Sequence, residues 1–482
     1  MEKKYSFYVI ASLFTGIVYI LWLYIIVDTL IATVFFVLEF AIFFMFVLFV
    51  INHSKKRYQL HGGPYSLRAM VDIFIPTKNE PITLLERTIK SASKIISSKK
   101  RIYVIDDSDR AEVKKLCSKY HATYLVRPDR KTKAYKAASL NYAFSKSFGN
   151  FILTLDADQW VANNILDDLL GHFKNDKVAI VATRQMFDVP EGDFNHDHLF
   201  YGHMQPGKNA YESAISCGSG VIYRRSALDE IQGFQEWNIV EDLYTSYVLN
   251  QHGYKSIYIS QAYTKGEAPI DLKTIYKQRG TWALDTLRMF FWKQSLWDST
   301  LSFRQKILYF ETGYIYLISA LVIPSLYLIN FYSLYTNTPI LTVGIWYLVL
   351  RLPSFFLTMK VYYDLGKGSA NSRMWTSLFP VFFLSTIKAL LYVKPTYIVT
   401  KKGVSPKKNI LLILPQFITI LVGVVGLFYN LVNHGLTSFL LVNFFWTGTM
   451  CYWLWPVFPK AFLINTNEKP QALTLLPVTA TS

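Results

Sequence analysis

Long apolar runs flank a central stretch in which short apolar strands alternate with polar, helical segments. Tyr5 to Val27 carries no charge, and a second run from Thr29 to Ile51 is interrupted only by Glu39. A membrane span needs about 20 apolar residues. The two runs therefore predict paired spanning helices within residues 1–55, turning at Asp28. Thr312 to Leu350 is again uncharged. That is too long for one span, and Asn337-Thr338-Pro339 divides it, so two helices are expected over 312–360. Asn409 to Pro459 has no formal charge either, with a turn at Asn433-His434-Gly435. It predicts two more helices over 409–460, followed by a cytosolic tail at 461–482.

Two weaker apolar stretches remain. Met374 to Ile387 is short before Lys388, which favours an interfacial helix within 373–408 over a span. Leu284 to Phe310 mixes Phe, Trp and Leu with Arg288, Lys293, Arg304 and Lys306. It reads as interfacial amphipathic helices over 284–311, or as a soluble helix packed on the central domain. The lysine-rich loops fall on one side of this six-span layout. The candidate outer loops hold no Lys or Arg, as the positive-inside rule requires.

Charge changes the picture little. The net charge of +17 does not form one basic stripe with interleaved aromatics, so nucleic acid is not an expected partner. It suits a cytoplasmic membrane face and anionic substrates. Cys117, Cys217 and Cys451 are too scattered for a disulfide framework or a zinc site. The run after MEKK lacks a cleavage signature and reads as a retained anchor. His196, His198 and His203 lack the spacing of a metal site and read as loop histidines.

The central segment, 60–283, carries the chemistry. Val71 to Pro76, Ile102 to Ile105 and Phe151 to Leu155 are strand-like and alternate with helical stretches, the pattern of a wound α/β sheet. Ligands bind such sheets at the carboxyl ends of the strands. Asp106-Asp107 and Asp156-Ala157-Asp158 lie at two such ends. In an extended Asp-x-Asp both carboxylates face one way, which suits a hard divalent ion bridging a diphosphate.

These motifs resemble, in order from about residue 72 to 403, a processive family 2 glycosyltransferase of the cellulose synthase type. DIFIPTKNEP resembles the opening strand and nucleotide loop, with Thr77, Asn79 and Glu80. VIDDSD resembles the uridine-contacting acidic pair, Asp106 and Asp107. KAYKAASLN resembles the segment whose lysine meets the diphosphate, here Lys136. LDADQW resembles the metal motif, with Asp158 as ligand and Asp156 beside the nucleotide and the metal. ISCGSG resembles the acceptor loop, with Cys217, Gly218 and Ser219. VEDLYTS resembles the Thr-Glu-Asp motif with Val240 for Thr, giving Glu241 and the general base Asp242. QRGTW resembles Gln-x-x-Arg-Trp, giving Gln278, Arg279 and Trp282 to the acceptor. YIVTKKG resembles the gating loop, with Tyr397, Val399, Thr400 and Lys402.

The resemblance implies a GT-A-like, Rossmann-like cytosolic domain inserted between transmembrane helices in the plasma membrane. It implies Mg²⁺ or Mn²⁺, a UDP-sugar donor, a growing polysaccharide acceptor, a lipid membrane and accessory export proteins. The leading reading is polymerisation of UDP-glucose to a β-glucan with inversion and translocation. The alternatives are another polymer (capsule, mixed-linkage or β-1,3 glucan, aminosugar chain) or a non-processive glycolipid glucosyltransferase. A pure channel has no use for Asp158 and Asp242. Thr281 replaces the motif arginine that faces the diphosphate, so Lys136 and Lys402 are expected to compensate. Glu39 and Arg351 fall inside predicted spans, as a helix-pairing ion pair or as lining for a glycan path.

Overall fold

The computed structural model describes residues 3–58, 62–63, 65, 69–96, 99–133, 135–293, 295–393 and 408–462. The gating-loop residues Tyr397, Val399, Thr400 and Lys402, and the 461–482 tail beyond Phe462, lie outside the described residues.

The central segment folds as one mixed sheet. Its strands are β1 (Val71–Thr77), β2 (Lys100–Asp106), β3 (Thr123–Leu125), β4 (Phe151–Thr154), β5 (Gln159–Val161), β6 (Val178–Phe187), β7 (Val221–Arg224) and β8 (Lys255–Gly266). Their order is β3-β2-β1-β4-β7-β6-β8-β5. The first four are parallel neighbours, and β7 runs antiparallel to both β4 and β6.

β1 shows why this segment is a strand. Its apolar residues are buried on both faces, as parallel strands covered by helices require. Ile73 and Ile75 pack with Leu85 and Ile89 of the helix Ile82–Ser93. Phe74, one residue out of phase, packs with Leu140 of the helix Lys136–Ser145 on the other face. The order of strand addition reverses at β1, which pairs in parallel with β2 on one side and β4 on the other. In open α/β sheets such a switch point, beyond the carboxyl ends of the strands, is the crevice where ligands bind. The acidic residues stand there.

The chain leaves the sheet into a 21-residue helix, Leu272–Trp292, capped where Asp271 accepts from the Thr274 N–H. The 12-residue helix Phe379–Leu390 packs on it. Gly280 permits this approach, since a Cβ there would lie 2.9 Å from Val381, and Ser385 donates to the Gly280 carbonyl at 3.1 Å.

Among the described residues, four helices are long and apolar enough to cross a membrane: Ser6–Ile26, Leu30–His53, Phe303–Thr336 and Ile410–His434. Their outer faces expose Phe14, Tyr24, Leu30, Phe428 and Val432, as lipid-facing surfaces do. Phe303–Thr336 is 34 residues long, so the boundary expected at 311–312 falls inside one helix. Beyond Arg304 and Lys306 in its first turn, its remaining charged residue, Glu311, is fully buried, accepts from Asn52 at 2.6 Å and contacts the His53 ring at 3.0 Å. Two other helices over the expected spans fall short of that standard. Trp346–Leu365 carries Arg351, Lys360 and Asp364, and Ser438–Leu454 has only 17 residues.

Candidate active site

Thr77 and Asp106 are register partners at the carboxyl ends of β1 and β2. Asp106 is fully buried and accepts from the backbone N–H of Ser108 (3.1 Å) and Arg110 (2.8 Å). The Arg110 guanidinium pairs with it at 3.2 Å, and also donates to the Thr77 hydroxyl (2.9 Å) and the Glu80 carbonyl (2.6 Å). Asp107 is gripped through both oxygens by Arg127, at 2.7 and 3.0 Å, and accepts from Ser139 at 3.1 Å. Arg127 is itself fully buried. A buried carboxylate needs such partners to remain ionised. The acidic pair is thus a rigid wall set by two arginines, with Asn79 turning the adjoining loop at φ 64°. Thr77 donates to Glu80 at 2.6 Å. Burial, with Asp158 adding its charge, raises the Glu80 carboxyl above its ordinary value.

Asp156 and Asp158 follow β4, and the Asp156 N–H donates to the Ser219 hydroxyl at 3.0 Å. That bond ties the loop of the Asp-x-Asp to the acceptor loop. Asp158 is 6% exposed, while Asp156 is half-buried. Among the described residues no cluster of three or more His, Cys, Asp or Glu side chains is gathered for an ion. Two carboxylates fit a small oxygen-seeking cation that keeps waters and shares its remaining positions with substrate phosphates. The donor set therefore suits a divalent cation brought with, or completed by, a diphosphate.

Lys136, the first residue of its helix, joins the two halves of the site. Its ammonium lies 2.8 Å from Asp156, 3.1 Å from Glu241 and 3.1 Å from the Gly218 carbonyl. Burial pulls its pKa down, but the charges of Asp156, Glu241 and Asp242 more than reverse that, and the amine stays protonated. Glu241 and Asp242 open the helix Glu241–Gln251, where its positive end favours acids. Burial and the Glu241 charge push the Asp242 carboxyl up to about 8, against the pull of Lys136. Gly218 has φ +78°, and a Cβ there would meet Asp242 and Lys136 at 2.9 Å. Only glycine lets the acceptor loop lie this close to the acid.

The acceptor loop is held from behind by two glutamines that the sequence did not single out. Gln185 donates to the carbonyls of Cys217 (2.7 Å) and Ser219 (3.1 Å), and Gln205 brackets the backbone of Ile215 at 2.6 and 3.0 Å. Burial raises the Cys217 thiol to about 12, so it stays protonated and unreactive. Gln278, Arg279 and Trp282 lie on the helix Leu272–Trp292. The Arg279 guanidinium pairs with Asp197 at 3.3 Å and lies 4.6 Å from the Trp282 ring centroid. Thr281 spends its hydroxyl on its own helix, donating to the Lys277 carbonyl at 2.9 Å. Arg288 pairs with Asp285 at 3.4 Å, so neither nearby arginine substitutes for the missing one.

The profile of the family described as Glycosyl transferase family 2 matches residues 72–232, and that described as Cellulose synthase matches residues 230–363. In two successive stretches, over residues 72–363, the chain is thus similar to the family 2 glycosyltransferases of the cellulose synthase type. The "Cellulose synthase 1 catalytic subunit [UDP-forming]" of Komagataeibacter xylinus is 28% identical over 389 residues, 74% of this chain and 51% of that one. The "Cellulose synthase catalytic subunit [UDP-forming]" of Pseudomonas fluorescens is 30% identical over 288 residues, 56% of this chain and 39% of that one. The chain spans about half the length, or less, of these curated relatives. Among solved structures, the mannosyltransferase PcManGT of Pyrobaculum calidifontis shares the fold. Its TM-score is 0.56 and its identity 16%, over 74% of this chain and 99% of that one.

Beyond Asp197, a cavity of about 560 Å³ runs into the helical bundle. Trp375, Tyr316 and Asn371 line it near Asp197, and Pro339, Thr342 and Ser438 line it at the far end. Glu39 and Arg351 both line it and pair with each other at 3.0 Å. The motif residues therefore collect in two groups. Thr77, Glu80, Asp106, Asp107, Lys136, Asp156, Asp158, Glu241, Asp242 and Gly218 surround the crevice. Arg279, with Trp282 beside it, adjoins the mouth of the cavity through Asp197.

Proposed function

We propose that this chain polymerises a UDP-sugar, UDP-glucose before others, into a β-glucan with inversion, and passes the product through its own helices. The observation that carries this reading is the meeting of Asp156, Glu241 and Asp242 on Lys136 beneath the acceptor loop. On this reading one side of that cluster would face the nucleotide and the other the acceptor.

The uridine would lie against the wall fixed by Arg110 and Arg127. A divalent cation, Mg²⁺ or Mn²⁺, held by Asp158 and Asp156 would supply charge neutralisation of the diphosphate leaving group. Lys136, already protonated, turns from Asp156 to the diphosphate when donor binds. Asp242 accepts the proton of the acceptor hydroxyl. Its raised pKa brings its basicity close to the working pH, where a general base is most effective. Displacement in line from the opposite side inverts the sugar's configuration. Trp282, steadied by Arg279, offers a flat face to the terminal sugar.

The membrane part of this reading has six spans: the four long apolar helices together with Trp346–Leu365 and Ser438–Leu454. Arg351 is accommodated in the former by Glu39, as intramembrane charges are when they face a protein interior. The catalytic domain is then cytosolic, beneath the plasma membrane. A non-processive glycolipid glucosyltransferase would share the crevice. The cavity adjoining Asp197 favours the polymer instead, because a single lipid-linked sugar needs no path through the bundle.

The test is incubation of the purified, reconstituted chain with labelled UDP-sugars and Mg²⁺ or Mn²⁺, then digestion with linkage-specific hydrolases. A high-molecular-weight product from UDP-glucose, cut by a β-glucanase, is expected. A labelled lipid and no polymer would select the second reading.

A further inference from the structure

β6 is irregular where it runs beside β8. Its pairing register slips between Thr183 and Arg184 and again between Arg184 and Gln185. Such bulges bend a strand and re-aim its side chains, and they gather beside functional sites. This one ends at Gln185, which is 5% exposed. All four hydrogen-bonding valences of the Gln185 amide are used. Its nitrogen donates to the carbonyls of Cys217 (2.7 Å) and Ser219 (3.1 Å) in the acceptor loop. Its oxygen accepts from Gln159 Nε2 at 3.2 Å and from the Tyr201 hydroxyl at 3.4 Å. A side-chain amide supplies these two donors and two acceptor lone pairs together. A carboxylate in its place has no N–H for the two carbonyls, and a thioether strands all four partners.

Gln159 is the far end of this bridge. It directly follows Asp158 and is 2% exposed. Gly266 makes room for it, since a Cβ there would lie 2.5 Å from Gln159 Cγ. The loop of the Asp-x-Asp therefore reaches the acceptor loop twice. Asp156 N–H donates to the Ser219 hydroxyl at 3.0 Å. Gln159 acts through Gln185 on the carbonyls either side of Gly218, the residue packed against Asp242 and Lys136. Among the described residues the Gln159 side chain is anchored by its bond to Gln185 alone, because its oxygen is buried without a partner. An orphaned acceptor in a core calls for a reason. A link that must shift with the Asp-x-Asp loop supplies one.

We propose that Gln185, through Gln159, couples the donor side of the site to the acceptor side. Occupation of Asp156 and Asp158 by a divalent cation and a nucleoside diphosphate sets the acceptor loop, and occupation of that loop tightens the cation. Gln185 is a positioning residue, acting through the two loops and not on substrate. This rests on the polymer-synthesis reading and deepens it. Coupling between two binding sites is reciprocal, so either direction reads it.

The first arm of the test needs no turnover. Mn²⁺ binding to the purified full chain with UDP is followed by the spin-resonance signal of the free ion, with and without cellohexaose. In the wild type cellohexaose should tighten Mn²⁺ about fivefold, the order of one hydrogen bond. In Gln185→Met, Gln185→Glu and Gln159→Met that factor should fall to about one. Mn²⁺ affinity without cellohexaose should stay within about twofold of wild type, which a merely structural role does not predict. Gln159→Met combined with Gln185→Met should lose no more than either alone, because both break one bridge. Gln159→Met removes a single side-chain bond, so it decides the matter should the Gln185 variants fail to fold. No effect of cellohexaose in the wild type, or a factor that survives in Gln159→Met, would overturn the proposal.

The second arm measures turnover of UDP-glucose in proteoliposomes. In Gln185→Met kcat should fall about tenfold while KM for UDP-glucose stays within about twofold of wild type. A change confined to KM would contradict the coupling. A wild type that shows the cellohexaose effect on Mn²⁺ yet makes no polymer would instead refute the polymer-synthesis reading and leave the coupling standing.

Discussion

The ammonium of Lys136 stands 2.8 Å from the carboxylate of Asp156. The same nitrogen lies 3.1 Å from Glu241, so one cation bridges the loop after β4 to the start of the helix that carries Asp242. Lys136 thus offsets two carboxylate charges at once. A diphosphate entering the crevice can draw the ammonium away from Asp156. That leaves Asp156 free to help hold the cation. On the proposed function, loading the donor and assembling the metal site would be one event.

The first prediction follows from the charges around Asp242. Burial first, then Glu241, raises its pKa to about 8. A general base must be deprotonated, so kcat/KM should fall as pH drops through its midpoint. A cation on the neighbouring loop lowers that midpoint, placing the acid limb at or below about 8. Glu241→Gln removes a negative neighbour and should shift the limb to lower pH. Lys136→Met removes a positive one and should shift it to higher pH. Profiles of kcat/KM against pH for the three proteins check this. An acid limb that moves in neither variant would remove Asp242 from the role of base.

A second prediction concerns Asp285, which sits outside every recognised motif. Its buried carboxylate accepts from the Val240 N–H at 2.7 Å and pairs with Arg288, pinning the residue before Glu241-Asp242. Burial raises it to about 6, so it is mostly ionised at neutral pH. Asp285→Asn keeps the shape but weakens a charge-assisted bond. kcat should fall about tenfold, roughly 1.4 kcal/mol, while KM for the donor stays near wild type. A loss confined to KM would contradict this positioning role.

A third prediction concerns Thr281. Its hydroxyl is bound to its own helix, and Arg279 and Arg288 are engaged with Asp197 and Asp285. On the proposed function the diphosphate charge would then fall to Lys136 and to Lys402 of the expected gating loop, which lies outside the described residues. Lys402→Ala should lose more than about tenfold in kcat/KM. Thr281→Arg in that background should restore part of it. Unchanged kinetics for Lys402→Ala would remove the lysine from the account.

Much of this site is legible in the sequence because its acids sit at strand ends, where an apolar run simply stops. VIDD and LDAD each mark the edge of a buried strand, and the reversal of strand order at β1 brings those edges together. The partners were not legible. Arg110 and Arg127 look like surface cations in the sequence, and only the fold shows them locked on Asp106 and Asp107. Gln185, Gln205 and Asp285 act through backbone groups distant in sequence, which no local pattern can reveal. The membrane part was legible where runs are long and uncharged. It was blurred at Glu311, where a buried partnership with Asn52 and His53 lets one helix continue through a charge that reads as a boundary.

The most direct test of the account is sugar transfer by proteoliposomes of the intact chain, comparing wild type with Asp158→Asn and Asp242→Asn. Labelled UDP-glucose and Mg²⁺ or Mn²⁺ are supplied outside, and polymer-bound label is counted. Removing a metal ligand or the proton acceptor should cost at least about a hundredfold each. Both variants should insert and fold as the wild type does. The account predicts polymer from the wild type and almost none from either variant. Near-normal synthesis by Asp158→Asn or Asp242→Asn would contradict it.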